Sequence, residues 1–600
     1  MRVFLQVISI LLVLVGTFQS FAAPPTINMM VPENFKTPYS FSRIRLGGYT
    51  EPDNKITING ERTKVYSTGA FIGMLPLQPG LNNLTIVATA PDGTKTELKK
   101  IIRRTPPIQT SPTNILEFDK SIISPSVNMN LVAGDIIEVK IKGTPDCQAS
   151  FTIGSKIKDI PMIEVNEGTI KGIYKGVYVI KPLDKIDPSP VKFKLTKTSL
   201  GSTTALSKGL ITVDPDAWPK VGKITDPHAA LKTSLGDARL GGAEFDYLPV
   251  GTQLQLTGKV GEAYKVHLSP TMTAYISEEN IKVLPDGTPM PRSTIDAISI
   301  SKNDDADYMK ISLSTRIPFY IEPVGNPNRL LINFFGASSN VTWITDWRTT
   351  KVIDSVVWHV MDKEWVQIEV SLNGQYIWGY DGDYEEDSNT FSLRVKHPPI
   401  LPAPPESPFK GIKISIDPGH GGSNRGALGN AGSKEKDINL GLSNELKKLL
   451  VNAGANVFMT REKDDYLDND DRWDKVIEED PCISISIHCN SIGLASDPSK
   501  SYGFGTFYKY LCYRPITISV YDAMKELDLE PRGNIGSFNS RIVKTHEMIS
   551  FLVETAFMSH PEDEAKLLDR DFQKECAKAF FKGMENFLKT EQRVQFPVAD

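Results

Sequence analysis

Cysteine is scarce in this chain: five in 600 residues, at positions 147, 482, 489, 512 and 576, and none belongs to a Cys-x-x-Cys pair. That spacing argues against a thiolate zinc site, and an odd count leaves no complete disulfide framework to read. Surplus positive charge is missing as well. Lys and Arg number 67 against 72 Asp and Glu, a net charge of −5, whereas nucleic-acid binders carry a basic footprint. Beyond the first residues, no apolar run approaches the ~20 residues that a membrane-spanning helix needs. Two familiar layouts are incomplete. His546-Glu547 begins like HExxH, but Ser550 stands where the second histidine belongs. The glycine-rich Gly419 to Gly422 lacks the GxxxxGK arrangement that cradles phosphate.

What is present is an ordinary globular composition, 40% hydrophobic and 23% charged, in a chain too long for one core. Met1-Arg2, the apolar stretch Val3 to Val15 and the small residues around Ser20-Phe21-Ala22 have the layout of a cleaved export signal over 1–22. The alternative is an uncleaved anchor, but the apolar core is short for a bilayer span. The mature chain is therefore expected to be exported with no stable membrane anchor: periplasmic first, otherwise secreted or cell-wall associated.

The expected fold class is multidomain, with several all-β modules followed by an α/β domain whose sheet is mostly parallel. From Ile27 to Arg104, runs such as Ile56-Thr57-Ile58 and Leu84-Thr85-Ile86-Val87 are separated by Gly60, Gly69 and Gly80. Such spacing predicts a β-sandwich, and residues 27–105 resemble bacterial Ig-like modules. Residues 112–215 read as a second sandwich, with Ile137-Glu138-Val139-Lys140-Ile141 alternating after Gly134-Asp135. Residues 219–286 resemble a bacterial SH3-like domain through Leu248-Pro249-Val250-Gly251-Thr252, Tyr264-Lys265-Val266 and Ala274-Tyr275-Ile276, with Ala263 where an aromatic is usual. Met309 to Leu313, Leu330 to Phe334 and Val366 to Leu372 make residues 292–396 strand-rich, and this segment resembles the AMIN-like, envelope-targeting β-domain of bacterial proteins. These modules read either as binders of glycan or protein or as spacers. Trp358, Trp365, Trp378 and Tyr380 are candidates either for a sugar-stacking face or for core aromatics. Six prolines between Pro398 and Pro408 mark a semi-rigid linker over 397–410.

The chemistry lies in the final domain, 411–590, where strands alternate with helical patterns as in βαβ units. Ile412 to Ile416 reads as a strand running into Asp417-Pro418-Gly419-His420-Gly421-Gly422. Ile483-Ser484-Ile485-Ser486-Ile487 alternates and ends at His488, and a third apolar run, Ile549 to Val553, ends at Glu554. Open α/β sheets bind ligands beyond the carboxyl ends of their strands. A helix starting near Ser433 or Lys434, with the stripe Ile438, Leu442, Leu446 and Leu449, puts Glu435 on its buried side. A carboxylate there is favoured by the helix dipole, but an inward charge needs a partner, and a metal ion supplies one. Two imidazoles and one carboxylate with an open fourth position form a catalytic zinc set. Glu554 then remains as general base toward a zinc-bound water, whose pKa falls to about 7, and later as proton donor to the leaving nitrogen. Asp417 either orients a ligating imidazole or begins the turn. Arg461 and Arg472 either meet substrate carboxylates bidentately or form structural ion pairs. Cys489 points to the strand face opposite His488, and Cys576 lies on the apolar helical stripe Phe572, Cys576, Phe580, Phe587.

Together these segments resemble the zinc-dependent N-acetylmuramoyl-L-alanine amidases of bacterial cell walls. The matching residues are Asp417 to Gly422, Glu435-Lys436-Asp437-Ile438-Asn439-Leu440, Thr460-Arg461 with Asp465 and Arg472, Ser486 to Asn490, and Leu552 to Ser559. Ala556 and His560 depart from the family's usual Gly and Asn. The resemblance implies Zn2+ on His420, Glu435 and His488, with Glu554 catalytic. It also implies peptidoglycan as substrate, cut between N-acetylmuramic acid and L-alanine, with a cell-envelope protein activator as a possible partner. Two alternatives stand: a zinc peptidase or deacetylase on the same scaffold, and a non-catalytic cell-wall-binding adaptor.

Overall fold

The computed structural model describes residues 23–236, 244–346 and 348–597; the expected export signal lies outside them. The chain forms two compact units. One is Met1–Thr105 with Asn430–Gly432 and Gly493–Pro498. It holds a three-stranded sheet (Asn28–Val31, Arg43–Tyr49, Ala70–Pro76) and a four-stranded one (Glu61–Thr63, Lys55–Ile58, Gly80–Thr89, Lys95–Arg104). Alternation along Gly80–Thr89 turns Leu84, Ile86 and Ala88 into a core shared with Ile44, Leu46, Ile56 and Phe71.

The second unit holds the remainder. Among its described residues up to Lys396 there is no α-helix. Strand Ile136–Gly143 buries Ile137, Val139 and Ile141 against Phe151, Phe193 and Leu195. A further group of strands, Lys220–Ile224 to Ile281–Val283, closes over Leu254, Leu256, Val266 and Ile276. Met129–Leu131 pairs in parallel with Gly201–Val213 and antiparallel with Gln253–Val260, so one sheet runs through both regions. A modular reading of the sequence does not anticipate that continuity, because unpaired strand edges leave no mark in composition. Between Ser293 and Lys396, a five-stranded and a four-stranded sheet share a core of Ile298, Met309, Ile332, Phe334, Ile368 and Phe391. Trp378 and Tyr380 are buried in two different cores, Trp365 packs on Phe335, and Trp358 is exposed. The four aromatics therefore do not share one sugar-stacking face.

In the C-terminal domain the strands are β1 (Lys413–Pro418), β2 (Asn456–Met459), β3 (Ile483–Asn490), β4 (Phe504–Phe507), β5 (Pro531–Ile535) and β6 (Ile549–Phe557). The helices are α1 (Glu435–Asn452), α2 (Asn469–Glu479), α3 (Arg514–Met524), α4 (Pro561–Leu568) and α5 (Arg570–Gln595). The sheet order is β2-β1-β3-β6-β4-β5, parallel except where β4 meets β6. The isoleucines of β1 and β3 with Phe551 and Val553 of β6 pack on α1, α3 and α5. The buried stripe of α1 is Ile438, Leu442, Leu446 and Leu450, and Leu449 is only partly buried. Phe572, Cys576, Phe580 and Phe587 all face inward from α5.

The alternate residues of these strands form a second, partly polar face. Ser415 donates to Ser484 at 2.8 Å and Ser486 donates to Asp417 at 2.7 Å, while Leu552 packs with Val476 of α2. The proline-rich segment is not a free spacer. Leu401 and Phe409 are buried, and Gln592 and Gln595 of α5 donate to the carbonyls of Pro402 and Pro399. These side-chain amides satisfy carbonyls that a proline-rich stretch cannot pair within itself.

Candidate active site

Three strands and one helix start converge on a single corner of the sheet. His420 follows β1, whose chain turns sharply there: His420 has φ +63°, Gly421 +141° and Gly422 +54°. Left-handed backbone at a non-glycine residue is costly, and here it is held by a buried frame. Arg461 donates to the carbonyls of Pro418 (2.9 Å), Gly419 (3.0 Å) and Lys436 (2.8 Å). Arg472 pairs with Asp417 at 2.7 Å and donates to the carbonyls of Pro418 and His420. Asp417 also accepts from Thr460 (2.6 Å) and Ser486 (2.7 Å).

These contacts bear on the alternatives that the sequence leaves open for Asp417, Arg461 and Arg472. Arg461 and Arg472 are each 3% exposed and spend their guanidinium groups on internal carbonyls and Asp417, so they are not placed to meet substrate carboxylates. Asp417 touches neither imidazole; it acts on His420 through Arg472. Burial alone would raise its carboxyl, but the Arg472 charge and the Thr460 and Ser486 hydroxyls hold it below the usual range.

Glu435 opens α1 and is 4% exposed. Its two oxygens divide between the imidazoles: Oε2 lies 3.1 Å from His420 Nε2, and Oε1 lies 3.0 Å from His488 Nδ1. Backbone N–H groups fix the carboxylate from behind, Ala427 to Oε2 at 2.7 Å and Cys489 to Oε1 at 3.1 Å. Burial works to raise this carboxyl. Hydrogen bonds to His420 and His488 and their charges outweigh it and hold Glu435 far below the ordinary range. Burial likewise pulls the His420 imidazole down, yet Glu435 and Asn424 more than offset it and raise it.

The candidate ligand atoms of His420, Glu435 and His488 all lie within 4.8 Å of one another, and the two rings meet edge to face at 4.9 Å. Imidazole and carboxylate together suit a borderline divalent ion such as zinc. The His420 Nδ1 atom lies 3.0 Å from Asn424 Oδ1, which leaves Nε2 directed at the shared point. Two glycines keep that point clear. A Cβ on Gly419 would come within 2.2 Å of the His488 ring, and one on Gly426 within 2.5 Å of Glu435.

Glu554 lies in β6 directly opposite His488 of β3, so both side chains leave the same face of the sheet. His560, by contrast, caps α4 by accepting from Asp563 N at 3.4 Å and packs on Tyr502. Asn424 and Gly426 escape the motif reading: they lie in an irregular loop, and only its fold returns them to His420 and Glu435.

The comparisons with known proteins agree with the motifs. Residues 414–586 match the N-acetylmuramoyl-L-alanine amidase family model. The uncharacterised Bacillus subtilis protein YqiI is 30% identical over 181 residues, covering 30% of this chain and 86% of that protein. The probable cell wall amidase LytH of Staphylococcus epidermidis is 30% identical over 186 residues, 31% of this chain, and the match spans only 61% of LytH. Among solved structures, the amidase AmiC2 of Nostoc punctiforme is 29% identical, with 30% of this chain and 99% of that one covered at a TM-score of 0.28. Through its C-terminal domain, this chain belongs to the N-acetylmuramoyl-L-alanine amidase family of hydrolases.

Proposed function

We propose that the C-terminal domain cleaves peptidoglycan at the amide between the lactyl group of N-acetylmuramic acid and L-alanine. In this reading His420, Glu435 and His488 hold a zinc ion and Glu554 is the general base. One observation carries it: two imidazoles and a buried carboxylate converge at the strand ends, with a second carboxylate, Glu554, opposite His488. Bound there, zinc supplies Lewis-acid polarisation of the scissile carbonyl and a water acidic enough to attack near neutral pH.

The rest falls to the chain itself. Asn424 and the Ala427 and Cys489 amides hold His420 and Glu435 in place, which pre-organises the donors. Glu554 takes the proton of the attacking water and returns it to the leaving nitrogen. Arg461, Arg472 and Asp417 position the His420 turn and do not touch substrate. Because the substrate is the cell wall, the enzyme is placed outside the cytoplasm. The family match and the likeness to LytH support the choice of bond.

The test is mass analysis of purified peptidoglycan digested with the full chain, alongside Glu554→Ala and chelator controls. Free stem peptides and peptide-free glycan, absent from both controls, are the expected products. Other fragments would favour a peptidase or deacetylase. Binding without cleavage in the presence of zinc would favour an adaptor, or an enzyme waiting for a cell-envelope activator.

A further inference from the structure

A second group of metal-ligating side chains lies at the other end of β6. Asp381, His546 and Glu547 bring one ligand atom each to within 4.8 Å of the others. The last two come from the incomplete HExxH of the sequence. The first comes from a strand of the preceding β-domain, Tyr380–Tyr384. The two backbones are closely joined there. Tyr380 N donates to His546 O at 2.9 Å, Tyr513 Oη donates to the same carbonyl at 2.8 Å, and a Cβ on Gly379 would strike Glu547 O at 2.2 Å. Along the strand this cluster lies roughly 25 Å from Glu554, at ~3.3 Å per residue.

We infer that Asp381, His546 and Glu547 form a second, structural site for a divalent transition metal, which clamps the β-domain 293–396 to the base of the catalytic sheet. Three features point to a ligand. First, the His546 Nδ1 and Glu547 Oε2 atoms are 3.1 Å apart, about the spacing of two donors on one ion at ~2.0–2.1 Å. Second, the His546 ring is held by Tyr380 (edge to face, 4.8 Å) and Tyr510 (stacked, 6.3 Å), so its nitrogen is aimed before any ion arrives.

Third, the cluster sets two carboxylates against one imidazole, and Glu547 already engages His546 at 3.1 Å. The Asp381 carboxylate accepts no hydrogen bond and joins no ion pair among the described residues, and Glu547 is buried beside it. The cation nearest in register, Arg394, is committed to Asp305 at 2.8 Å and Asp480 at 2.9 Å. A buried and a half-buried carboxylate sharing one imidazole repel each other, and a divalent cation offsets that repulsion. The mixed nitrogen and oxygen donors select a borderline ion, with zinc the natural probe.

The site is tested on the full chain after chelator treatment, by titrating zinc and counting bound metal by elemental analysis. The double variant His420→Ala/His488→Ala removes both imidazole donors of the first site and leaves Glu435 alone there. It is expected to keep one zinc per chain and to rise in Tm when zinc is added. Adding Asp381→Asn or Glu547→Gln to that background should abolish both the bound zinc and the Tm response. Asp381→Asn also relieves like-charge repulsion, so its metal-free form should melt no lower than its metal-free parent, and lost binding is not lost folding. A double variant that takes up no zinc overturns the proposal, as does one whose zinc survives both added substitutions. Zinc retained by the double variant but absent from a chain altered only at Asp381 would support this site even if the catalytic reading failed.

Discussion

His488 and Glu554 are register partners in the parallel pairing of β3 with β6. Side chains directly opposite in adjacent strands leave the sheet on one face, so a candidate ligand and the candidate base are held by backbone hydrogen bonding rather than by a loop. Elements of that kind place groups more precisely than loops do. Glu554→Gln should therefore lower peptidoglycan turnover by about 10²–10⁴-fold, with zinc content and Tm unchanged. A loss of bound metal in that variant would mean that Glu554 is a ligand instead.

Chelation should abolish activity, and zinc should restore it. Among single substitutions, Glu435→Gln should be the most damaging to metal affinity, because Glu435 approaches both imidazoles and accepts from two backbone amides. Zinc affinity measured by competition with a chromophoric chelator reads this directly. Equal affinity in variant and parent would remove Glu435 from the ligand set.

The Asp417–Arg472 pair is a frame rather than a binding surface. Arg472→Met leaves the Asp417 carboxylate buried without its cation, at an expected cost of ~3–5 kcal/mol. Asp417→Asn in the same chain should restore part of it. Thermal unfolding of the three variants checks the order. A single variant as stable as the parent, with weakened substrate binding, would return Arg472 to the substrate.

Gly426 has φ +67°, and a Cβ there would meet both Glu435 and His420. Gly426→Ala should cost at least ~1 kcal/mol in stability while reducing zinc affinity and turnover much more. A variant that changes Tm alone would show that the loop adjusts without disturbing the ligands.

Asp307 is fully buried and accepts from the backbone N–H groups of Lys351, Val352 and Ile353, with His397 Nε2 2.8 Å away. Burial raises its carboxyl, but His397 and those amides outweigh burial and lower it. A carboxyl lowered on folding contributes stability that is present above its unfolded value of ~3.9 and is lost as pH falls through the folded value. Asp307→Asn should cost ~1–3 kcal/mol at neutral pH. The difference in Tm between parent and variant should shrink below about pH 4. A gap that widens on acidification would contradict this sign.

Much of the catalytic domain is legible in the sequence because its signals are local. Alternation in Ile483 to Ile487 marks a buried strand, and the spacing of Ile438, Leu442 and Leu446 marks the face of α1 that buries Glu435. The loops are less legible. Asn424 and Gly426 matter through a left-handed turn that no periodicity records, and the buried state of Arg461 and Arg472 depends on carbonyls supplied by Pro418, Gly419 and Lys436. The β region was harder still. Its strands follow from alternation, but their partners are distant in sequence, as where Met129–Leu131 links two groups of strands into one sheet.

By itself, then, the sequence determined which residues are candidates for the chemistry, with His420, His488 and Glu554 toward strand ends and Glu435 at a helix start, because residue type and two short periodicities are local properties. Tertiary structure alone decided that Asp417 and its arginines brace the turn and that the proline-rich segment packs on α5. It also decided that Asp381 meets His546 and Glu547 across a domain boundary. Those outcomes rest on which buried donors find which acceptors, and hydrogen-bond satisfaction in a packed interior is settled only when distant segments arrive together.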